Sequence, residues 1–465
     1  MKLIDIIEVF IAGDWGEETY SKETPCAVTC VRGADIIPIS EYDFSAIPVR
    51  YINQQAYARK CLQVGDIIIE KSGGSPTQST GRVSLVSQEL LDHAGAVICS
   101  NFCTAFRVKK GWIPLYVYYY LQFIYNLGAF FNFEGKTSGI KNLQLDAAFA
   151  AIPIEDISES IQNNIVAILQ GLERKIAINR QINQNLEAMA KQLYDYWFVQ
   201  FDFPNEEGKP YKSSGGKMVW NEKLKREIPE GWDISLIKDI ATTYSGGTPK
   251  STNIEYYDNG EIAWINSGEL NSPIITKTTN YITKCGLENS SAKLYPSNSI
   301  LVAMYGATAG KVSLLTFEAC SNQAVCGVIP TIENMLYYVY FHISSLYSHF
   351  ITLSTGSARD NISQDTIKNI LLPIPTRNIL KLFDEKIGSI YQTIVNNYQQ
   401  IDSLTKQRDE LLPLLMNGQV SVNSDLSVYK KRRGKIPSLT LNHVSDIQIL
   451  QCKCIIGIKT VHYTL

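Results

Sequence analysis

The sequence contains two copies of one long helical pattern, and each copy follows a segment of strand-like sequence. Ile161 and Ile379 are 218 residues apart, and Asn179 and Asn397 have the same spacing. The spacing recurs in four more pairs: Leu172 and Ile390, Ile176 and Ile394, Leu186 and Leu404, and Leu193 and Leu411. Internal repeats constrain the architecture more strongly than single elements do. The chain is therefore predicted to contain two similar modules, each ending in a long helix.

Each helical pattern has a seam of apolar residues separated by steps of three and four, which is typical of paired helices. Asn179 is predicted to lie in the first seam, where a polar residue fixes the register at some cost in stability. The first seam comprises Ile161, Ile165, Ile168, Leu172, Ile176, Asn179, Ile182, Leu186, Met189 and Leu193. The second comprises Ile379, Phe383, Ile387, Ile390, Ile394, Asn397, Ile401, Leu404 and Leu411. Pro413 is predicted to end or kink the second helix.

The segments before the helices also repeat. Residues 65–86 (GDIIIEKSGGSPTQSTGRVSLV) parallel residues 298–315 (NSILVAMYGATAGKVSLL) as a strand, a Gly-rich turn and Gly-(Arg/Lys)-Val-Ser-Leu. Cys-Ser-Asn follows each segment, at 99–101 and 320–322. Two correspondences in the same order indicate a duplicated framework rather than a chance similarity.

The predicted fold class is α+β, with two similar mixed α/β domains joined by the two long helices. In the first domain, strands are expected over 64–70 and 83–86 and a helix over 115–127. The predicted boundaries are 1–151 for the first domain, 152–203 for the central helix, 204–227 for a polar linker, 228–375 for the second domain, 376–418 for the distal helix and 419–465 for an irregular tail.

Composition limits the class of protein. The formal net charge of the 465 residues is −2, which excludes a uniformly basic nucleic-acid-binding protein but permits a local basic face. The N-terminus lacks a signal-peptide pattern, and no apolar run approaches the roughly 18–20 residues of a membrane span. The ten cysteines lack zinc-finger spacing. We expect a soluble cytoplasmic protein with reduced thiols and no metal site.

The sequence carries no convincing catalytic motif. Residues 306–311 (GATAGK) resemble a phosphate-binding loop, but three residues separate the glycines and Val312 follows Lys311. A nucleotide-binding loop needs four residues there and a Ser or Thr after the lysine. The metalloprotease, serine-hydrolase and dinucleotide-binding motifs are also missing. The sequence therefore favours a non-catalytic protein that supplies recognition to other subunits.

The loops that follow the repeated strands carry side chains suited to DNA, because glycine permits close approach to phosphates and polar groups bond to base edges. Arg82 and Lys311 are predicted to contact phosphate or guanine, and Asn101, Asn322 and Gln323 to read adenine. A structural hydrogen bond is the alternative for each residue alone, but recurrence in both modules favours DNA contact for the set. The candidates in and beside these loops are Lys71, Ser72, Ser75, Gln78, Arg82, Asn101, Tyr305, Thr308, Lys311, Asn322 and Gln323.

The turn before each long helix is a second candidate surface. It comprises residues 135–142 and 354–363, and its candidates are Lys136, Lys141, Ser357, Arg359 and Asn361. A capped connector is the alternative for these turns. A third candidate surface is the segment YSGGTPK, with Tyr244, Thr248 and Lys250.

Taken together, these features resemble the specificity subunit of type I restriction–modification systems. The resemblance covers residues 1–422 and rests on a combination of motifs and on the two long helices. The motifs are IPEGW at 228–232, SGGTPK at 245–250, YPSNSILVAMYGATAGKVSLL and CSNQAVCG within 295–327, and NISQDTIKNILLPIP at 361–375.

The resemblance implies two target recognition domains, each reading one half of a bipartite site in double-stranded DNA. It also implies that the helices pair as an antiparallel coiled coil, which sets the distance between the halves and docks two adenine methyltransferase subunits. Restriction subunits join that core in the family. S-adenosylmethionine, ATP and Mg²⁺ then belong to the partner subunits, and this chain holds no cofactor.

Two features depart from the family pattern. The first domain lacks the Pro-x-x-Trp entry found at Pro229–Trp232, which predicts a shortened start, and the tail beyond about residue 424 has no counterpart. Two other functions stay open at this point. One is a coiled-coil scaffold that binds proteins without sequence-specific DNA readout, and the other is a nucleotide-hydrolysing enzyme that uses residues 306–311.

Overall fold

The computed structural model describes residues 1–73, 78–137, 140–355 and 362–420. The chain divides into two compact units: unit 1 is Met1–Ala177 with the described chain from Ser403 onward, and unit 2 is Ile178–Asp402. The predicted tail from residue 421 lies outside the described residues, as do four candidate DNA contacts: Ser75, Ser357, Arg359 and Asn361.

Unit 1 alternates short strands with helices. Its strands are β1 (Ile7–Ala12), β2 (Cys26–Val31), β3 (Val49–Ile52), β4 (Ile67–Glu70), β5 (Ser72–Gly73), β6 (Val83–Leu85), β7 (Val97–Cys99), β8 (Cys103–Val108), β9 (Glu134–Thr137) and β10 (Ile140–Leu143). Its helices are α1 (Ile36–Ser40), α2 (Gln54–Lys60), α3 (Gln88–Ala94), α4 (Pro114–Asn126), α5 (Leu145–Ala151), the first part of α6 (Glu159–Tyr194) and, from Ser403, the end of the second long helix. The strands predicted over 64–70 and 83–86 and the helix predicted over 115–127 are confirmed as β4, β6 and α4.

The largest sheet of unit 1 has the antiparallel order β1–β8–β4–β6. A second sheet has the order β3–β2–β7, in which β2 and β7 run parallel, and a third has the order β5–β10–β9. Ile67 and Ile69 of β4 lie in the core beneath α4, while Ile68 belongs to the core on the opposite face. The apolar run in β4 is unbroken because both of its faces are buried.

Unit 2 is built in the same way. Its strands are β11 (Met218–Asn221), β12 (Arg226–Pro229), β13 (Asp233–Leu236), β14 (Ala241–Ser245), β15 (Ile262–Ile265), β16 (Ile274–Ile275), β17 (Tyr281–Ile282), β18 (Ser299–Ala303), β19 (Val312–Leu315), β20 (Cys320–Ser321), β21 (Val325–Pro330) and β22 (Leu371–Ile374). Its helices are α7 (Ile237–Ile240), α8 (Lys284–Glu288), α9 (Leu336–Ser345), α10 (Tyr347–Thr355), α11 (Gln364–Lys368), the end of α6 and most of α12 (Arg377–Met416).

Two sheets of unit 2 repeat two sheets of unit 1 strand for strand. The order β14–β21–β18–β19 matches β1–β8–β4–β6, with β16 added beside β19. The order β17–β15–β20 matches β3–β2–β7, and the parallel pair, β15 with β20, falls at the same place. The internal repeat predicted from the sequence is confirmed, and it includes strands that the sequence comparison did not align.

A matched tyrosine in each unit links the helix over the sheet to the segment that enters the long helix. The hydroxyl of Tyr120 in α4 donates to the carbonyl oxygen of Pro153, and that of Tyr338 in α9 donates to the carbonyl oxygen of Pro373. The two tyrosines are 218 residues apart, like the seam residues of the long helices. The repeat therefore extends from the helical seams into the packing of each domain.

The predicted correspondence of the two Cys-Ser-Asn segments is wrong by one residue. The backbone amides of Ser100 and Asn322 donate to the last residues of β2 and β15, at 2.8 and 2.9 Å. Ser100 therefore matches Asn322, and Asn101 matches Gln323. The two tripeptides are identical in sequence, which favoured the wrong alignment. A shift of one residue matters because it places every strand residue on the opposite face of the sheet.

The two long helices run antiparallel within each unit. In unit 1, Ile165 of α6 shares a core with Leu412 and Leu415 of α12. In unit 2, Asn397 of α12 donates through Nδ2 to Oδ1 of Asn183 in α6 at 2.8 Å, and both side chains are buried. The amide of Asn183 also lies 3.4 Å from the carbonyl oxygen of Ile394. A hydrogen-bonded polar pair therefore lies inside an otherwise apolar seam.

Part of the predicted first seam is wrong. Asn179 is only partly buried and donates to Gln400 at 3.2 Å, and Ile182 and Met189 are 40% and 57% exposed. After residue 179 the structure steps by four to Asn183, whereas the apolar character of Ile182 favoured a step of three. The amide of Asn183 is buried because Asn397 on the other helix satisfies it, and a single-helix pattern does not reveal that partner.

Two further expectations differ from the structure. The predicted linker over 204–227 contains most of the hairpin β11–β12, and Phe203 stacks on Tyr211 and Trp232 with centroid distances of 4.7 and 5.2 Å. Its aromatic residues anchor it despite its polar composition. Pro413 does not end α12, which continues to Met416, because the lost amide bond falls in the last turn.

Two matched positions, one in each unit, have a backbone conformation that requires glycine. Gly81 and Gly310 have φ values of +100° and +80°. A Cβ atom on Gly81 would lie 2.7 Å from Cδ2 of Phe130, and one on Gly310 would lie 2.9 Å from Cβ of Phe350. Both the left-handed conformation and the close aromatic contact exclude a side chain.

Gly310→Ala is expected to destabilise unit 2 more than Gly306→Ala does. Gly306 has a similar φ of +87°, but a Cβ atom there meets nothing within 4 Å. Gly306→Ala should therefore cost only backbone strain of about 1–2 kcal/mol, while Gly310→Ala adds overpacking of about 1–3 kcal/mol. Urea unfolding midpoints measure the difference, and equal midpoints for the two variants would contradict the contact with Phe350.

The buried amide pair predicts a non-additive mutant cycle. Asn397→Leu should lower the free energy of unfolding by about 1–3 kcal/mol, because Asn183 loses its partner. The double variant Asn183→Leu, Asn397→Leu should recover most of that loss, since no buried amide remains. Asn179→Leu, at a partly exposed position, is the control and should change stability by less than about 0.5 kcal/mol. Additive losses from the two substitutions would contradict the pairing.

Candidate nucleic-acid interface

In unit 1 the structure brings two separately predicted surfaces together. The loop after β4 pairs through β5 with strand β10, so that Ser72 faces Asn142. The hydroxyl of Ser72 lies 2.5 Å from Oδ1 of Asn142, and Nζ of Lys141 lies 3.0 Å from the carbonyl oxygen of Gln78. Lys136 lies on β9, in backbone register with Lys141. The strand loop and the turn before the long helix therefore form one surface.

Arg82 forms an ion pair with a buried carboxylate. Its Nε and Nη2 atoms donate to the two oxygens of Glu70 at 2.9 and 2.6 Å, and Glu70 is only 2% exposed. This hydrogen bonding to Glu70 raises the pKa of Arg82 further above its ordinary value. The side-chain amide of Gln78 lies 3.3 Å from the same guanidinium, and its oxygen is the atom that can accept a hydrogen bond there. These contacts join Arg82 to the residues on either side of the loop and leave its guanidinium little freedom to follow a ligand.

Lys311 occupies the matched position in unit 2 with a different neighbour. Ala303 pairs with Val325 as Glu70 pairs with Cys103, so alanine stands where unit 1 has its buried acid. Nζ of Lys311 instead donates to Oδ1 of Asn271 at 2.7 Å, in an exposed position. Lys311 is therefore the more accessible of the two matched cations.

A segment of unit 2 that sequence reasoning missed supports several of the predicted residues. It connects β15 to β16, and Ser267 accepts a hydrogen bond from the buried hydroxyl of Thr308 at 2.8 Å. Asn266 of the same segment accepts from Nδ2 of Asn322 at 3.2 Å. The residues of this segment are ordinary turn residues in sequence, so only their contacts across the fold identify them.

Exposed side chains mark one edge of unit 2. The hydroxyl of Thr248 donates to Oε1 of Gln323, and both side chains are exposed. Lys250 is exposed nearby in sequence, and Tyr244 and Tyr305 are 38% and 37% exposed. The structure thus pairs two predicted residues, Thr248 and Gln323, that are 75 residues apart.

The matching edge of unit 1 is aromatic. Phe102 is 48% exposed and Trp15 is 37% exposed, and their rings meet edge to face with centroids 6.3 Å apart. The predicted residue Asn101, next to Phe102, is also exposed. The carbonyl oxygen of Phe102 accepts from the amides of Lys71 and Ser72 at 2.8 and 2.9 Å, which joins this edge to the loop after β4. The sequence analysis did not predict either aromatic residue, because a pattern of apolar residues does not distinguish an exposed ring from a buried one.

Within the described ranges, no group of three or more His, Cys, Asp or Glu side chains is placed to hold a metal ion. The cysteines in those ranges are all free thiols. None of the helices described there has the length and apolar character that a membrane crossing requires.

Comparison with known proteins agrees with this architecture. The domain family described as "Type I restriction modification DNA specificity domain" matches residues 41–188 and 229–411, which is most of the chain and includes both units. The chain belongs to this family. Its two matched segments correspond to the two copies of the repeated framework, so each copy is one specificity domain.

Relatives and a solved structure extend the comparison. The HindI specificity subunit of Haemophilus influenzae is 25% identical over 338 residues, which cover 62% of this chain and 73% of that protein. The MjaIX specificity subunit of Methanocaldococcus jannaschii is 26% identical over 327 residues, covering 68% and 71%. The crystal structure of the M. genitalium type I S subunit has a TM-score of 0.53 at 13% identity, covering 89% of this chain and 95% of that chain. The last similarity supports the shared fold.

Substitution of the two matched cations, Arg82 and Lys311, is expected to affect stability to very different extents. Arg82→Ala should destabilise the specificity domain of unit 1 by about 3–5 kcal/mol, because it leaves a buried carboxylate unpaired. Lys311→Ala should change stability by less than about 0.5 kcal/mol. If Lys311 contacts a DNA phosphate, its removal should also reduce the slope of log affinity against log salt by about 1.

Urea unfolding and DNA titration at several salt concentrations measure the two effects. The double variant Glu70→Ala, Arg82→Ala is the control and should be more stable than Arg82→Ala alone. The assignment of Arg82 to the framework is contradicted if Arg82→Ala leaves the unfolding midpoint unchanged.

Proposed function

We propose that this chain is the sequence-specific DNA-binding subunit of a type I restriction–modification complex, and that each specificity domain reads one half of a bipartite duplex site. The observation that carries the proposal is the double occurrence of one framework with different exposed side chains. Two readers of the same shape and different chemistry suit a site with two different halves. Membership of the DNA specificity family supports DNA as the molecule that they read.

The positions of the predicted residues suggest two roles. Arg82, Lys141 and Thr308 are largely buried and bonded inside their domains, which suits residues that keep a binding loop in shape. The accessible candidates are proposed to contact the DNA directly, and they are Asn101, Tyr244, Thr248, Lys250, Tyr305, Lys311 and Gln323. Local contacts of this kind are compatible with the net charge of −2.

The chain itself is non-catalytic, and the remaining activities of the complex are proposed to reside in partners. The long helices are proposed to dock two adenine methyltransferase subunits, with restriction subunits joining that core. Ile178, Ile182 and Met189 support this, because they are 58%, 40% and 57% exposed and their spacing places them on one face of α6. S-adenosylmethionine, ATP and Mg²⁺ are assigned to the partner subunits.

Selection from random duplexes tests the proposed function. The chain, in complex with its methyltransferase subunits, should select two short constant sequences separated by a spacer of constant length. Affinity should fall steeply as salt rises, because phosphate contacts release counterions. A single contiguous sequence would contradict the two-domain reading. Binding without sequence preference would favour the coiled-coil scaffold instead.

Shortening both long helices by one heptad is expected to change only the spacer between the two half-sites. Residues 176–182 of α6 face residues 398–404 of α12 in the antiparallel pairing, because Asn183 faces Asn397, and removing these segments leaves that amide pair in place. Removing both segments shortens each helix by about 10 Å, which corresponds to about three base pairs. The selected half-sites should stay the same while the spacer shortens. Altered half-sites with an unchanged spacer would contradict the role of the helices.

A further inference from the structure

Each specificity domain contains a place where two backbone segments pass unusually close to each other, beside its exposed edge. This place is called the backbone crossing. A Cβ atom on Gly13 would lie 2.0 Å from the carbonyl oxygen of Ser100, and one on Gly246 would lie 2.1 Å from that of Asn322. Only glycine allows the chain to pass so close at either place. The residue that follows each glycine donates its amide across the crossing at 2.8 Å, to the last residues of β7 and β20. The crossing is therefore the same structure in both domains.

The side chains on this crossing differ between the domains at every matched position but one. Counting from the matched glycines, Trp15 of unit 1 corresponds to Thr248 of unit 2. Counting from the matched strand ends, Phe102 corresponds to Ala324, and the exposed amides Asn101 and Gln323 correspond to each other. Unit 2 therefore presents a hydroxyl bonded to an amide, while unit 1 presents two rings beside an amide.

The aromatic edge of unit 1 is held in place from several sides. The guanidinium of Arg50 lies 5.3 Å from the ring centroid of Trp15, and Arg50 is itself paired with Glu18 at 3.0 Å. Trp15 in turn meets the ring of Phe102, whose backbone is fixed by the loop after β4. An apolar surface that stays exposed although the fold holds it rigidly suits contact with a ligand.

The chemistry of this edge fits one kind of base pair. In the major groove, an apolar side chain contacts the C5-methyl group of thymine, and an asparagine pairs with the N6 and N7 atoms of adenine. Phe102 and Asn101 are adjacent, so they present both chemistries at one place. An A·T pair, or two neighbouring A·T pairs, offers both complements at one place in the same groove.

We infer that Phe102, supported by Trp15, is a specificity-determining residue of the unit 1 domain and contacts the C5-methyl group of a thymine in its half-site. This inference rests on the proposed function, because it assigns a base contact to a domain that reads DNA. Trp15 acts as a positioning residue, since it orients the ring of Phe102. The matched edge of unit 2 reads its base pair through hydrogen bonds.

Replacing thymidine by deoxyuridine removes only the methyl group and tests the contact. The probe is a duplex carrying the site selected from the random pool, with one thymidine of the unit 1 half-site replaced at a time. The complex with wild-type chain should lose about fourfold in affinity at one position, as expected for one buried methyl-sized group. Phe102→Ala should bind the thymidine duplex more weakly and show no further loss with deoxyuridine at that position.

The controls separate this contact from folding and from general DNA binding. Phe102 is 48% exposed and the matched position in unit 2 holds an alanine, Ala324, so the unfolding midpoint of Phe102→Ala should stay close to that of the wild type. Phe131→Ala removes another ring of unit 1, 64% exposed, and should keep the full deoxyuridine effect. Trp15→Thr should reduce the deoxyuridine effect without abolishing selection of the half-site.

The possible outcomes distinguish the inference from the proposed function. A methyl effect that persists in Phe102→Ala, or a unit 1 half-site without an A·T pair, overturns the inference and leaves the proposed function standing. A deoxyuridine effect only in the unit 2 half-site also overturns it. A wild-type complex that selects no sequence overturns both.

Discussion

The register between α6 and α12 is the constraint on which the packing of both long helices depends. An apolar seam alone would tolerate sliding by a heptad, because each slide returns apolar residues to apolar neighbours. The buried amides of Asn183 and Asn397 remove that tolerance, since any other register leaves both without partners. The stability given up by burying two amides therefore secures a single alignment.

Within each domain, the conserved part of the framework is backbone and the variable part is exposed side chain. The glycine crossing, the strand order and the tyrosine-to-carbonyl hydrogen bonds occur twice, whereas the residues above the crossing share only an exposed amide. Buried backbone groups must all be paired, so changes there are costly. Exposed positions tolerate substitution with small effects on stability. The recognition surface can therefore change without loss of the fold.

Periodicity and repetition were sufficient to predict the two long helices, the helix α4, the strands β4 and β6 and the double architecture. They were insufficient wherever a distant partner decides the outcome. Asn183 is buried because of Asn397, and Arg82 is held by Glu70, a residue that has no equivalent beside Lys311. Trp15 and Phe102 were missed because a sequence pattern does not distinguish an exposed ring from a core ring. The site was thus predicted as a region, and the fold determines which of its residues are accessible.

The aromatic stack around Phe203 changes how the polar segment before the second domain should be regarded. Phe203 lies between Tyr211 and Trp232, and Trp232 also contacts Phe201 at a centroid distance of 5.6 Å. A segment pinned at both ends by rings has little capacity for added length, because an insertion would have to bulge outward or unstack them. Its composition is typical of a flexible linker, but the packed rings make it a rigid connection. Tags and fusion partners are better accommodated elsewhere in the chain.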